Sequence, residues 1–194
     1  MPEQGRPRAT RPVSGRARAA ARRAGRTERA LVRILFLDVD GTLTDGRITF
    51  DSQGDSRHFW IRDGIALEWA RELGVLPVVI SGRESGAVEA RMRDLRLEHY
   101  LGAKDKVAVA EQVLARERAS WNECAMVGDD LPDVPLMRLV GWAFAVGDAQ
   151  REAKRVAKTV LRAGGGRGAV REAVERILTH NGTWRRVLER YGAQ

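Results

Sequence analysis

A chain of 194 residues with 34 Lys and Arg, 26 Asp and Glu, a net charge of +8 and one cysteine has room for one well-packed domain and none for a disulfide framework. No apolar run approaches the ~18–20 residues that cross a bilayer, and no apolar stretch follows the basic start as a secretory signal requires; no membrane partner is expected, and a reducing, cytoplasmic setting is. Residues 1–30 carry nine arginines against Glu3 and Glu28, a net of +7, which leaves +1 for the rest and argues against nucleic acid as the main substrate.

In chain order, residues 1–30 are rich in Arg, Ala, Gly and Pro and poor in large apolar side chains, so a disordered, dispensable arm is expected. For that arm alone, contact with nucleic acid or another acidic surface, or a transit-like role, stays open. From Leu31 onward strands and helices alternate. Residues 33–38 read as a buried strand. Residues 46–61 read as a hairpin, with Ile48, Phe50, His58 and Trp60 flanking a turn from Asp51 to Asp55. A helix over 64–73 closes at Gly74, and 75–80 is a second buried strand. Helix 84–95 turns Val88, Met92 and Leu95 to one face. A short strand at 98–101, helix 104–118, strand 123–127, helix 133–139, strand 142–146, helix 149–156 and strand 158–161 follow. Cys124 reads as a small buried apolar residue of the third core strand. His58, His99 and His180 read as structural or solvated.

Alternating strands and helices with continuous apolar strands imply an α/β, Rossmann-like, doubly wound and mostly parallel sheet, here with a β-hairpin flap. Residues 31–180 would form one domain and 181–194 a C-terminal tail. In such folds the site lies beyond the carboxyl ends of the strands. The first core strand ends at Asp38-Val39-Asp40-Gly41-Thr42, the second at Ser81-Gly82-Arg83, the third at Gly128-Asp129-Asp130-Leu131-Pro132-Asp133. Strand geometry points Asp38 and Asp40 the same way, and two such carboxylates need a proton or a hard cation such as Mg²⁺ between them. Lys106 precedes the following helix, with Lys104 as its rival. Ser81 reads as a phosphate contact or an N-cap, and Asp133 as part of the site or a helix cap.

This ordered set resembles the haloacid dehalogenase superfamily of phosphohydrolases, whose four motifs it matches over residues 33–133. The resemblance implies Asp38 as nucleophile, Asp40 as general acid and then base, and Lys106 as the cation offsetting the charge of nucleophile and phosphate. It implies Mg²⁺ on the Asp38 carboxylate, the Asp40 carbonyl and the Asp129 carboxylate. Ser81 and Gly82, with Lys106, would bind phosphoryl oxygens, and Asp130 and Asp133 would orient Lys106 or hold metal-bound water.

Superfamily members select substrates with an inserted cap. About 25 residues separate Asp40 from the helix at 64, about 20 separate Ser81 from the strand near 98, and 22 separate Lys106 from Asp129. None of these holds a cap domain. A second resemblance, to the 3-deoxy-D-manno-octulosonate 8-phosphate phosphatase family, rests on Asp45-Gly46-x-Ile48, Phe59 to Gly64, Ser81-Gly82-Arg83, Arg91 and Gly165-Gly166-Arg167-Gly168-Ala169-Val170-Arg171-Glu172. It implies substrate contacts from Asp40, Trp60, Ile61, Arg62, Asp63, Gly64, Arg83, Arg91, Asp130 and Arg167. Arginine forks suit a substrate bearing both phosphate and carboxylate. Arg83 also reads as a partner of Glu84 or Glu89, and the Arg167 loop as a plain helix cap. A homotetramer with sites completed by neighbouring chains is implied, with the tail a candidate for contacting a neighbour. Trp60, Ala66 and Glu68 depart from the family pattern. Trp60 and Glu68 favour, as the alternative, a nonulosonate 9-phosphate or another small sugar phosphate. A binding or regulatory protein that keeps the fold is the alternative of another class.

Overall fold

The computed structural model describes residues 30–52 and 54–193. The arginine-rich arm, apart from Ala30, lies outside the described residues. At the centre is β1 (Ile34–Leu37), four apolar side chains buried without remainder. It lies parallel between β4 (Leu76–Ile80) and β6 (Cys124–Gly128), so that Phe36 stands between Val78 and Met126. Such doubly flanked strands bury both faces, which is why their sequences run apolar instead of alternating. With β5 (Glu98–Tyr100), β7 (Trp142–Ala145) and β8 (Thr159–Val160), the sheet has six parallel strands in the order β5-β4-β1-β6-β7-β8.

From β1 the chain moves to one side of the sheet through α1 (Ile61–Glu72) and α2 (Gly86–Asp94). It then crosses through α3 (Lys106–Glu117) to the other side, and continues through α4 (Val134–Leu139) and α5 (Arg151–Val156). Right-handed crossovers in opposite directions place these two sets of helices on opposite faces. In agreement, α3, α4 and α5 pack in sequence, while α6 (Ala169–His180) returns to pack along α1. The strand order reverses between β1 and β6, so the loops after them diverge and leave a crevice. The expected α/β, doubly wound sheet is therefore present.

Several boundaries differ from the sequence reading. The hairpin consists of β2 (Thr49–Asp51) and β3 (Gly54–Ser56), three residues each, with an isolated bridge between Thr44 and Phe59 below them. Both strands are largely exposed and Phe50 is 69% exposed, so alternation there marks no buried face. α1 begins at Ile61, not at 64, because Trp60 in extended conformation already serves as its N-cap. Arg62, Asp63 and Gly64 therefore form its first turn. The tail contains a helix that polar-apolar periodicity did not reveal, α7 (Trp184–Arg190). It sits on the same chain: the Trp69 ring lies 5.8 Å from that of Trp184 and 5.7 Å from that of Tyr191. The Arg171 guanidinium stands 4.3 Å over the Trp69 ring, a cation–π contact that joins α1, α6 and α7.

Candidate active site

The loops leaving β1, β4 and β6, with the start of α3, enclose a pocket of about 310 Å³ lined by Asp38, Asp40, Ser81, Arg83, Lys106 and Asp129 among others. Lys106 is the first residue of α3, and Asp105 caps the helix by accepting from the amides of Val107 and Ala108 at 3.0 Å. That cap fixes the helix start and sends the Lys106 side chain inward. Its Nζ donates to Asp38 Oδ1 at 2.5 Å and to Asp133 Oδ1 at 2.7 Å. Lys106, not Lys104, is thus the buried cation of the site; Lys104 stands exposed on the pocket rim.

Asp133 is almost wholly buried and does two things at once. One oxygen takes the Lys106 bond, while Oδ2 accepts from the amides of Asp129 at 2.9 Å and Asp130 at 3.4 Å. It folds back against Gly128, where a Cβ would come within 2.5 Å of the carboxylate. With both oxygens engaged, Asp133 holds Lys106 and the loop and is no free metal ligand. Asp130 caps its own short turn, accepting from the amide of Leu131 at 2.7 Å.

Carboxylate oxygens of Asp38, Asp129 and Asp133 lie within 4.8 Å of one another. The Asp129 carboxyl is pushed up to about 8 by burial and by the charges of Asp38 and Asp133, and it shares a hydrogen bond with Asp38. Asp38 rises to about 6, through burial and Asp133, against the opposing pull of Lys106. These crowded carboxylates, Asp38 and Asp129 foremost, offer an all-oxygen donor set that suits a hard divalent cation, so the residues fit Mg²⁺. Gly41, at φ +92°, makes room for that arrangement: a Cβ there would meet Asp129 Oδ2 at 2.2 Å.

Ser81 is buried at the end of β4, and its hydroxyl accepts from the amide of Arg83 at 3.2 Å. The cap of α2 is Ser85, which removes the N-cap reading of Ser81. Ser81 and Gly82 line the pocket, as a pair of phosphoryl contacts must. Arg83 pairs with neither Glu84 nor Glu89; its Nε lies 3.9 Å from Asp40 Oδ2, and Glu89 is bound by Arg93.

Other residues implied by resemblance fall elsewhere in the chain. Asp63 is buried and accepts from the amide of Arg171, in the first turn of α6, at 2.7 Å. Gly168, the N-cap of α6, has no side chain to cap it, and Asp63 of α1 supplies the missing acceptor. Burial pushes its carboxyl up to about 6. Asp63 is therefore corrected from a substrate contact to a structural cap. Gly64 is likewise corrected: it is buried under Arg91, whose guanidinium a Cβ would meet at 2.5 Å. Arg91 itself pairs with Asp94 at 2.6 Å, on the helix surface and outside the aspartate pocket. Arg62 opens on a different, mostly apolar hollow of about 370 Å³ walled by Trp69, Arg171, Trp184 and Tyr191. Trp60 and Ile61 are exposed at the start of α1, and Glu68 is exposed farther along it. None of Trp60, Ile61, Arg62, Glu68, Arg91 or Arg167 lines the aspartate pocket of its own chain. Arg167 is exposed on the glycine loop.

That loop is nonetheless part of the site's frame. The Gly166 amide donates to the Thr42 carbonyl at 2.9 Å, and a Cβ on Gly165 would lie 1.8 Å from the Gly41 carbonyl oxygen. Backbone meets backbone there, so neither side can yield by turning a rotamer. Gly165→Ala is expected to destabilise the fold by about 1–3 kcal/mol and to lower turnover by displacing the Asp40–Thr42 loop. A thermal melt and a phosphate-release assay on the same preparation check both; unchanged values would show that the loops separate freely.

The comparisons agree with this geometry. Residues 102–168 match the family model of haloacid dehalogenase-like hydrolases. The 3-deoxy-D-manno-octulosonate 8-phosphate phosphatase of Haemophilus influenzae is 32% identical over 153 residues, 78% of this chain and 85% of that protein. The enzyme of the same name from Escherichia coli K12 is 37% identical over 153 residues, 78% of this chain and 81% of its own length. The chain belongs to the 3-deoxy-D-manno-octulosonate 8-phosphate phosphatase family. A crystal structure of the Moraxella catarrhalis phosphatase, in complex with magnesium ion, phosphate ion and KDO, superposes with a TM-score of 0.80 at 29% identity, covering 82% of this chain and 93% of that one. Membership makes the chain a phosphomonoester hydrolase and sets aside the reading as a regulatory protein that merely keeps the fold.

Arg57 escaped the sequence reading. It lies in the strap after β3, buried, with Asp40 between it and Arg83. A basic residue in a polar hairpin reads as a solvated face; only the fold brings it to the site.

Proposed function

We propose that this chain is a Mg²⁺-dependent phosphatase that cleaves 3-deoxy-D-manno-octulosonate 8-phosphate to the free sugar acid and phosphate. The observation that carries the reading is the Asp38–Lys106–Asp133 chain set beside Asp129 at one end of an all-parallel sheet. Arg83 on the pocket wall supplies a fork for an anionic sugar. The Moraxella catarrhalis structure supports the same ligands, since that protein holds magnesium, phosphate and KDO.

In this reading Asp38 attacks phosphorus and becomes an acyl phosphate, held in line by the Lys106 bond to its other oxygen. Asp40 gives its proton to the departing alkoxide as the P–O bond breaks, then takes one from the water that hydrolyses the intermediate. Lys106, Ser81 and the backbone near Gly82 face the phosphoryl oxygens. Mg²⁺ on Asp38, Asp129 and the Asp40 carbonyl would neutralise charge on the phosphoryl group.

Glu68 stands outside the pocket, so the carboxylate that favoured a nonulosonate ester faces no substrate in its own chain. A homotetramer is part of the proposal. The exposed Phe50, Trp60, Ile61 and Ile65 on the hairpin and α1 support it, and in such an assembly Arg62, Arg91, Arg167 and the tail would act on a neighbour's site. A cytoplasmic setting accords with a free, buried Cys124 and with the lack, among the described residues, of a helix long and apolar enough to cross a membrane. The test is Mg²⁺-dependent phosphate release from 3-deoxy-D-manno-octulosonate 8-phosphate, a nonulosonate 9-phosphate and hexose phosphates, with the mass in solution taken by light scattering. Strong preference for the octulosonate ester is expected. Preference for another ester would keep the chemistry and replace the substrate.

A further inference from the structure

Arg57 makes a clasp around one of the two reacting aspartates. Its side chain is wholly buried. Nε donates to Asp40 Oδ1 at 2.6 Å, and one terminal nitrogen lies 3.5 Å from Asp40 Oδ2. The other terminal nitrogen is bound by the Asp55 carboxylate and by Ser85 Oγ, the latter at 2.6 Å. Ser85 donates in turn to Asp55 Oδ2 at 2.8 Å and accepts from the amide of Val88 at 3.2 Å, capping α2. One hydroxyl thus gives its proton to Asp55 and uses both lone pairs, on Arg57 and on the helix.

Burying a guanidinium is costly, and an apolar side chain would fill the same space more simply if packing alone were needed. The cation here is matched by two carboxylates, of which one, Asp40, opens on the pocket with its side chain 21% exposed. The grip is uneven: Oδ1 is held close, and Oδ2 is held loosely, with exposed Arg83 at 3.9 Å. The hairpin is largely exposed on both strands, so this clasp also ties it to α2 and to the loop after β1.

We propose that Arg57 is a positioning residue for the phosphatase reaction, which locks Asp40 through Oδ1 and leaves Oδ2 as the oxygen that gives and takes the proton. The proposal rests on the phosphatase reading above. In the first step Oδ2–H passes its proton to the leaving oxygen as the P–O bond breaks and the Asp38–phosphorus bond forms. In the second, Oδ2 takes a proton from water as the water oxygen bonds to phosphorus and the Asp38–phosphorus bond breaks. The hairpin strap thereby bears on catalysis without touching substrate.

The test uses p-nitrophenyl phosphate, whose leaving group departs without a proton, beside the sugar phosphate, whose alkoxide needs one. In Arg57→Ala, kcat on the sugar phosphate should fall about 10²-fold. On p-nitrophenyl phosphate the same variant should release a burst of about one nitrophenol per site at nearly the wild-type rate, then turn over slowly, since only its second step needs Asp40. Arg57→Lys keeps a buried cation, serves if the alanine variant fails to fold, and should restore part of the loss. Added to Asp40→Asn, either substitution should cost nothing further. Mg²⁺ binding by calorimetry should match the wild type throughout. Equal slowing of burst and steady state, full additivity with Asp40→Asn, or a Lys variant as active as the wild type would overturn the proposal alone. A wild type that hydrolyses neither ester would overturn the phosphatase reading and the proposal together.

Discussion

Asp38→Asn is expected to abolish turnover, by on the order of 10⁴-fold or more in kcat, while leaving the fold intact or firmer. The amide matches the carboxylate in size, so the 2.5 Å contact with Lys106 needs no repacking. It removes the atom that must attack phosphorus, and phosphate-ester hydrolysis is too slow without help for background reaction to hide the loss. It also removes one negative charge from the crowd of Asp38, Asp129 and Asp133. Metal-free Asp38→Asn should therefore melt no lower than the wild type, which separates lost chemistry from lost structure. Phosphate release and thermal melting measured on one preparation decide it. Retention of more than about a hundredth of wild-type activity would place the nucleophile elsewhere.

The second large effect is on stability and concerns the metal. Asp129 and Asp38 have folded-state values raised to about 8 and about 6 from the ordinary 3.8, mainly by burial, then by the charges of Asp38 and Asp133 on Asp129 and of Asp133 on Asp38. A carboxyl raised in this way binds its proton more tightly in the folded chain than in the unfolded one. The folded state thus gains from protonation at low pH and loses that gain as pH rises through the window from about 4 to about 8. In chelator, the melting temperature should fall across that window. Mg²⁺ in large excess over its dissociation constant should reverse the fall and raise the melt by about 5–10 °C at pH 8. Asp129→Asn should flatten the pH dependence, stabilise the chelated protein and erase the Mg²⁺ response. A melting temperature indifferent to pH in chelator, or a variant that still gains from Mg²⁺, would show that the carboxylates are kept apart by other means.

The most legible parts of the molecule were those with a strong local signal. The strand over 33–38 announced itself by four apolar residues with no alternation, which a doubly flanked parallel strand requires. The pocket residues Asp38, Asp40, Ser81 and Asp129 followed, since each sits at or just past a strand end and parallel strands deliver their ends to one edge. Failures have equally local causes. The hairpin was expected over residues 46–61, but its paired strands cover only Thr49–Asp51 and Gly54–Ser56. The Arg62-Asp63-Gly64 string was expected at the substrate only because it resembles the family's pattern, which does not show which way each side chain of a first helical turn faces. Asp63 is spent instead on capping α6, a hundred-odd positions away in the chain, a partnership that no window of sequence contains.

The sequence by itself determined the layered α/β fold, the reacting end of the sheet and the class of chemistry, because apolar periodicity and strand-end residues act over a few neighbouring positions. Tertiary structure alone decided which of two lysines enters the site, that Asp133 is consumed in holding it, that Asp63 caps a distant helix, and that Arg57 reaches back from the hairpin to Asp40. Those choices depend on burial, where a charge must find its opposite within a few ångströms, and the partner it finds is set by the packing of elements far apart in the chain.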